Sequence, residues 1–326
     1  MRITQINVVR EPLPAAKTGR RSLTEPACKP VHRISVSVIT DEGLQGTGST
    51  LVSGPGVASV QSFLETDLVP LLVGEDPHRT ESHFHRISST CESTGFAGVA
   101  ARAYAALDFA LWDLKSKAAG KTLGELLGGA RKDVPFFCSD TGGPGRSADE
   151  VVRLAKPWID KGAKGLRVEV GSGNVQNDAD RVRAISDELG DDCWVGVSAE
   201  GRYDLATALA LSHFFDDIGI GWFEFPLPLA DRAGYHRLAD RMETILAAGS
   251  SCDSVAELAE LAKTGAIRVL RPDPLRLGGI TPLIKLAAIA EVCHCSMVPV
   301  RLPEISEQLA CGLTVVPQIE RETNVS

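Results

Sequence analysis

Arg167 and Glu169 stand two residues apart in the stretch Gly165-Leu-Arg-Val-Glu-Val-Gly171. A glutamate can move a proton in general acid–base catalysis, and an arginine can grip a carboxylate or phosphate with two parallel hydrogen bonds. Which of these applies depends on the element that carries the pair. The stretch lies between a helix ending near Lys161 and another beginning near Asp178, so it reads as a buried parallel strand. Alternation puts Arg167 and Glu169 on one face and Leu166, Val168 and Val170 on the other. Opposite charges on one face of a buried strand must open on a polar cavity or meet partners. In a closed α/β barrel that cavity is the mouth at the carboxyl ends of the strands. Arg167 on the same face would hold Glu169 ionised and weaken it as a base, so a neutralising ion pair is the favoured reading over catalysis. Cys138 is a weaker candidate nucleophile, because a thiol at such a position is usually buried and inert.

The chain of 326 residues is long enough for one barrel and a smaller domain. Its formal charge of −8 and lack of a Lys/Arg-rich run argue against nucleic acid as a partner. No stretch is long and apolar enough to cross a bilayer, and Met1-Arg-Ile-Thr opens no signal peptide, so the expectation is cytoplasmic. The eight Cys are mostly scattered, as buried thiols in a reducing compartment are. Cys293-His294-Cys295 is clustered, but it falls where a helix enters the next strand, at the end of a barrel remote from the mouth. Packing is the favoured role there.

Residues 1–130 form the first expected unit, an α+β domain. Ile3 to Val9 alternates as a strand, Val31 to Thr40 and Leu44 to Leu51 form a hairpin across Asp41-Glu42-Gly43, and a polar loop runs from Leu13 to Lys29. Helices are expected near 57–70, 77–90 and 97–119, the last buried between two layers. Residues 131–326 alternate strand and helix. Strands are expected at Val134–Asp140, Gly165–Gly171, Trp194–Ala199, Gly221–Leu227, Ile245–Ser250, Val269–Pro274, Ser296–Arg301 and Thr314–Glu320. One intervening helix opens on the capping box of Ser147 and Glu150, and another on Asp253. Eight strands with helices between them, and no G-x-G-x-x-G after a strand, fit a closed barrel better than an open sheet.

The run Ala106-Leu-Asp-Phe-Ala-Leu-Trp-Asp-Leu-Lys-Ser-Lys-Ala-Ala-Gly-Lys-Thr-Leu-Gly-Glu-Leu-Leu-Gly-Gly129 resembles the signature helix of the mandelate racemase/muconate lactonizing enzyme-like branch of the enolase superfamily. The likeness extends through Trp222-Phe-Glu-Phe-Pro226, Pro272-Asp-Pro-Leu-Arg-Leu-Gly-Gly-Ile-Thr281 and Glu304-Ile-Ser306. It implies a modified (β/α)7β TIM-like barrel under an N-terminal α+β capping domain. Loops near 13–29 and 49–55 would close over a bound acid. It also implies a homo-oligomer, a small-molecule carboxylate as ligand, and removal of an α-proton beside that carboxylate, as in racemases and acid-sugar dehydratases. Family members carry the chemistry on a Mg²⁺ held by three carboxylates and on a Lys or His base.

Position by position, this chain departs from that scheme. Arg167 and Glu169 replace the Lys-x-Lys of the second strand, Ser198 replaces the first metal carboxylate, Glu224 is retained, and Ser250 replaces the third. Asp273 stands where the family keeps the residue that orients a His, but that His aligns with Val300, beside Arg301. Glu320 matches an acidic position on the last strand. None of the seven His and no Lys falls at the carboxyl end of an expected strand, which leaves Lys17 and Lys29 of the capping loop as the obvious lysines. Glu200 could point with Ser198 and offer a shifted metal ligand beside Glu224, but two serines supply no charge. The expectation is therefore no resident cofactor, with Mg²⁺ the family's alternative. Glu169, Asp273 and Glu320 are the candidate catalytic carboxylates, the last two as an acid/base couple if they meet. Arg167 and Arg301 are the candidate clamp for the acid, with Glu200 among the ligand-binding residues. Arg276 reads as a solvated or phosphate-facing group. Only six residues follow Glu320, so the return segment by which family members complete the cap is expected to be missing or built differently. Two functions stay open: an enzyme that has left the Mg²⁺/Lys mechanism, or a non-catalytic acid-binding relative.

Overall fold

A computed structural model describes residues 1–13, 30–139 and 143–322. The expected loop from 14 to 29, with Lys17 and Lys29, lies outside the described residues, as does Asp140. Three antiparallel strands open the chain: β1 (Ile3–Pro12), β2 (Val31–Thr40) and β3 (Gln45–Ser53), in that order across the sheet. Gly43, at a φ of 78°, makes the turn between β2 and β3 where the sequence placed it. β2 buries Ile34, Val36 and Val38 on one face, the alternation a one-sided sheet requires. Against this sheet lies the Val99–Ala119 helix, which buries thirteen residues, among them Ala103, Ala106 and Ala110. The approach is so close that a Cβ on Gly48 would lie 2.2 Å from the Ala106 carbonyl oxygen. Glycine in β3 is thus a packing requirement as well as a break in strand propensity.

The second sheet holds eight parallel strands: β4 (Phe136–Ser139), β5 (Gly165–Glu169), β6 (Trp194–Ser198), β7 (Trp222–Glu224), β8 (Leu246–Ala248), β9 (Ile267–Leu270), β10 (Ser296–Met297) and β11 (Ile319–Glu322). Their order is β10-β9-β8-β7-β6-β5-β4-β11, and Met297 N donates to Val315 O at 2.8 Å where β10 meets the approach to β11. Helices alternate with the strands, and their apolar faces pack on residues such as Leu166, Val168 and Val170. Inside the ring Phe137, Trp194 and Trp222 pack in tilted and edge-to-face contacts, with centroids 4.8–5.1 Å apart, and form an aromatic floor with Ala247, Val269 and Val298.

Most strands end a few residues short of expectation, and three boundaries differ for a local reason. β10 ends at Met297 because Pro299 lacks an N–H, although Val298 and Val300 still donate to Leu270 and Pro272 at 2.8 and 2.9 Å. The last strand begins at Ile319, after Pro317, rather than at Thr314. Ser254, not Asp253, caps the Val255–Lys263 helix, its hydroxyl accepting from Glu257 N at 3.2 Å. The Ser147–Glu150 capping box is present as expected.

The cap meets the barrel through Asp108 of the long helix. Its carboxylate accepts from Thr281 N at 2.9 Å and from Thr281 Oγ1 at 2.6 Å, and Trp112 Nε1 donates to Thr281 Oγ1 at 2.9 Å. Asp108 is wholly buried, and burial raises its pKa to about 6 against the pull of those donors.

Candidate active site at the barrel mouth

Residues two apart on a strand share a face, so each floor residue predicts what stands above it. Glu224 follows Trp222 on β7, and Arg271 follows Val269 just past β9. Both reach the carboxyl end of the barrel, and so does Arg167 of β5. The three are 1, 0 and 4 % exposed. Arg167 Nε donates to Glu224 Oε2 at 2.6 Å, and its Nη2 donates to Glu224 Oε1 at 3.3 Å and to Glu200 Oε1 at 2.6 Å. Arg271 lies 3.4 Å from Glu224 Oε1 through Nε and donates from Nη2 to Glu320 Oε2 at 2.5 Å. Its guanidinium also sits 5.4 Å from the Trp222 ring centre and 5.6 Å from that of Phe137, which ties the charges to the floor. Burial works against the charge on Arg167, but Glu224, then Glu200 and Glu320, outweigh it and hold the guanidinium firmly protonated.

Glu200 reaches this ring through an unusual backbone. Its φ is 52°, a left-handed conformation that costs a non-glycine residue on the order of 1 kcal/mol. The turn brings the carboxylate back over β6, where Ser198 Oγ donates to it at 3.1 Å. The expected alignment of Glu200 with Ser198 is therefore met.

The expected pairing of Arg167 with Glu169 is corrected. Arg167 pairs with Glu224 and Glu200, while Glu169 lies 3.5 Å from Arg202. Neighbouring strands are about 4.8 Å apart, whereas two residues along one strand rise about 6.6 Å, so a long side chain meets its partner across the sheet. Asp273 and Glu320 answer to different arginines. Asp273 accepts from Arg301 Nε at 3.1 Å and from Leu275 N at 2.9 Å, which shapes the turn at Pro274 as expected. Glu320 belongs to Arg271.

A second set of arginines lies at the seam with the cap. Arg301, at a φ of 61°, leaves 44 % of its side chain exposed while holding Asp273. Arg276 contacts Asp253 at 2.8 Å and the Ser251 carbonyl at 2.9 Å. Arg102 of the long helix donates to the Leu51 carbonyl at 3.2 Å. Burial, together with the nearby charges of Arg276 and Arg301, lowers the Arg102 pKa, with Asp273 acting in the opposite sense. These groups therefore feel one another across the seam.

Other candidates resolve simply. The Cys138 thiol is fully buried 3.6 Å from the Gly165 carbonyl, and burial pushes its pKa up to about 12. Cys295 is buried, its thiol 3.2 Å from the Ile267 carbonyl. Among the described residues, no three His, Cys, Asp or Glu side chains gather as a metal site. No described helix is long and apolar enough to cross a membrane. A cleft of about 1040 Å³ runs between the cap sheet, the long helix and the Pro303–Gly312 helix, lined in part by Leu51, Trp112 and Leu302, and it includes none of the ring's charges. Sequence reasoning missed Arg271 and Arg102. The alternation Val269, Arg271, Asp273 was a readable signal for the first, whereas the second depends on how the cap docks.

Comparison with known proteins agrees with this architecture. Residues 150–323 match the family described as enolase C-terminal domain-like, and residues 17–128 match the mandelate racemase/muconate lactonizing enzyme N-terminal domain. The chain belongs to the enolase superfamily, in its mandelate racemase/muconate lactonizing enzyme branch. It is 28 % identical over 304 residues to the L-talarate/galactarate dehydratase of Salmonella typhimurium, covering 93 % of this chain and 75 % of that protein. It is 28 % identical to the arabinonate dehydratase of Saccharolobus solfataricus, with 83 % and 72 % covered. Among solved structures, an L-talarate dehydratase from a Polaromonas species complexed with Mg and L-glucarate superposes with a TM-score of 0.88 at 30 % identity, covering 98 % of this chain and 86 % of that one.

Proposed function

We propose that this chain binds a small sugar-acid carboxylate at the mouth of its barrel, with Arg301 receiving the acid, and that any α-proton chemistry there runs without Mg²⁺ or a Lys or His base. The carrying observation is the state of Glu224. The Polaromonas relative was solved with Mg and L-glucarate. Here the one carboxylate retained at a metal position is held by Arg167 and Arg271, and Ser198 and Ser250 stand at the other two. Mg²⁺ needs anionic oxygen in near-octahedral array. A carboxylate engaged by two guanidiniums, with two neutral hydroxyls, does not fit it.

The half-exposed Arg301 suits the acid. Its Nε is fixed on Asp273, which orients the fork, and its exposed side chain leaves a planar donor set at the seam. Asp273 is then a positioning residue, and Glu320 serves to hold Arg271. Glu169, 3.5 Å from Arg202 and outside the Arg167–Glu224 ring, is the candidate base. The second reading, binding without turnover, draws support from the same neutralised Glu224. Calorimetry with a panel of aldarates and aldonates, followed by deuterium exchange at the α-carbon of any binder, tests both. Binding that persists in chelator and is lost in Arg301→Gln supports the reading. Exchange that Glu169→Gln abolishes selects the enzyme, and binding without exchange selects the second reading. No binding by any acid, or binding that requires Mg²⁺, overturns the proposal.

A further inference from the structure

The geometry points to Arg167 as an internal cation whose guanidinium fills the space between Glu200 and Glu224 and closes a divalent-cation site that its removal opens. Three oxygen-bearing side chains converge there. Glu224 takes two hydrogen bonds from Arg167, Glu200 takes one at 2.6 Å, and Ser198 Oγ lies 3.1 Å from the same Glu200 oxygen. The site is built, because Arg167 and Glu224 are almost wholly buried and Glu200 holds a left-handed backbone that aims it inward. Arg271 adds a second observation. Its buried Nε makes no hydrogen bond, although it lies 3.4 Å from Glu224 Oε1. Glu224 thus faces more positive charge than it can accept in good geometry.

The charge balance shows why one cation can stand for another. Two guanidiniums face three carboxylates in the ring formed by Arg167, Arg271, Glu200, Glu224 and Glu320. Without Arg167, one guanidinium faces all three, and the excess negative charge falls largely on the buried Glu224 and its part-buried neighbour Glu200. A hard divalent ion with oxygen ligands and its own waters matches that vacancy, since Mg²⁺ is often held by only one or two carboxylates. Arg167 differs from a bound ion in being covalently part of a strand, so the mouth keeps its charge balance at any metal concentration. The inference rests on the metal-free part of the reading above and is independent of acid binding.

The test compares the full chain, Arg167→Ala, and Arg167→Ala combined with Glu224→Gln, by thermal melts with millimolar MgCl₂ or chelator and by Mn²⁺ titration followed by electron paramagnetic resonance. The unaltered chain is expected to melt at one temperature in both conditions. Arg167→Ala is expected to melt lower, to recover much of the loss in Mg²⁺ or Mn²⁺, and to bind Mn²⁺ at least about tenfold more tightly than the unaltered chain. The added Glu224→Gln should abolish that recovery. If Arg167→Ala is obtained only unfolded, Arg167→Gln carries the same comparison, and metal-induced folding of either variant counts as support. Absence of any metal response in both variants, or Mn²⁺ binding by the unaltered chain as tight as by the variant, overturns the inference. Acid binding by the unaltered chain is measured separately, so failure of one proposal leaves the other standing.

Discussion

Arg167 and Arg301 share a rim, yet the first is 4 % exposed and clasped by two carboxylates, while the second keeps 44 % of its side chain open. The difference lies in what surrounds each. Arg167 rises from the middle of a strand pair and meets Glu224 and Glu200 across the sheet, whereas Arg301 sits where β10 has already given way to a turn. A charge within the ring organises the mouth and is unavailable to a ligand. A charge at the seam stays half in solvent, which is what the role proposed for Arg301 requires.

The comparison breaks or sharpens on measurements of decreasing size. Arg167→Ala should lower unfolding stability by about 3–5 kcal/mol in chemical denaturation, because it strands Glu224 as a buried, less compensated charge. A loss below about 1 kcal/mol would mean the ring is soft and the contrast false.

The seam also contains a buried anchor, Asp108, and here the pH dependence has a definite sign. The folded protein holds this proton up to about pH 6, while the unfolded chain releases it near 3.8. The folded state thus binds the extra proton between those values, so stability is fully present below about pH 4 and declines as pH rises towards 6. The difference is about 3 kcal/mol at most. Denaturation of Asp108→Asn across that window should show a flatter profile than the unaltered chain, and parallel profiles would remove Asp108 from the account.

Arg301→Ala should cost less than Arg167→Ala, about 1–2 kcal/mol, since the buried Asp273 loses its half-exposed arginine but keeps the Leu275 N donor. Its effect on acid affinity should be about tenfold or more, read by calorimetry. A variant that loses stability but not affinity would invert the contrast. Last, Cys138 should resist thiol reagents in the folded protein at pH 8, with a pKa of about 12 and no exposure, and label only on unfolding.

Much of the scaffold is legible in the residues. The alternation of Leu166, Val168 and Val170 against Arg167 assigned both faces of β5, and the Ala-rich run from 97 to 119 marked the helix that the structure buries. Partners across the sheet are less legible, because spacing along a chain says nothing of register between strands. This is why Glu169 was a reasonable partner for Arg167 and the wrong one. Strand ends near Pro299 and Pro317 shifted for a local reason, the missing donor, which a pattern of apolar residues does not weigh. Arg102 could be placed at the seam only once the docking of the long helix was known.

The helix Ile280–Val292 begins on Gly279, which has no side chain to satisfy the first amides, and Thr281 N is instead met by Asp108 from another part of the chain. A barrel expressed without residues 1–130 would leave the Thr281 amide to water, and a cap expressed alone would do the same to the Asp108 carboxylate. Each half expressed alone loses this buried contact. Exchanging caps between relatives should succeed only where an acceptor at this one position is carried along.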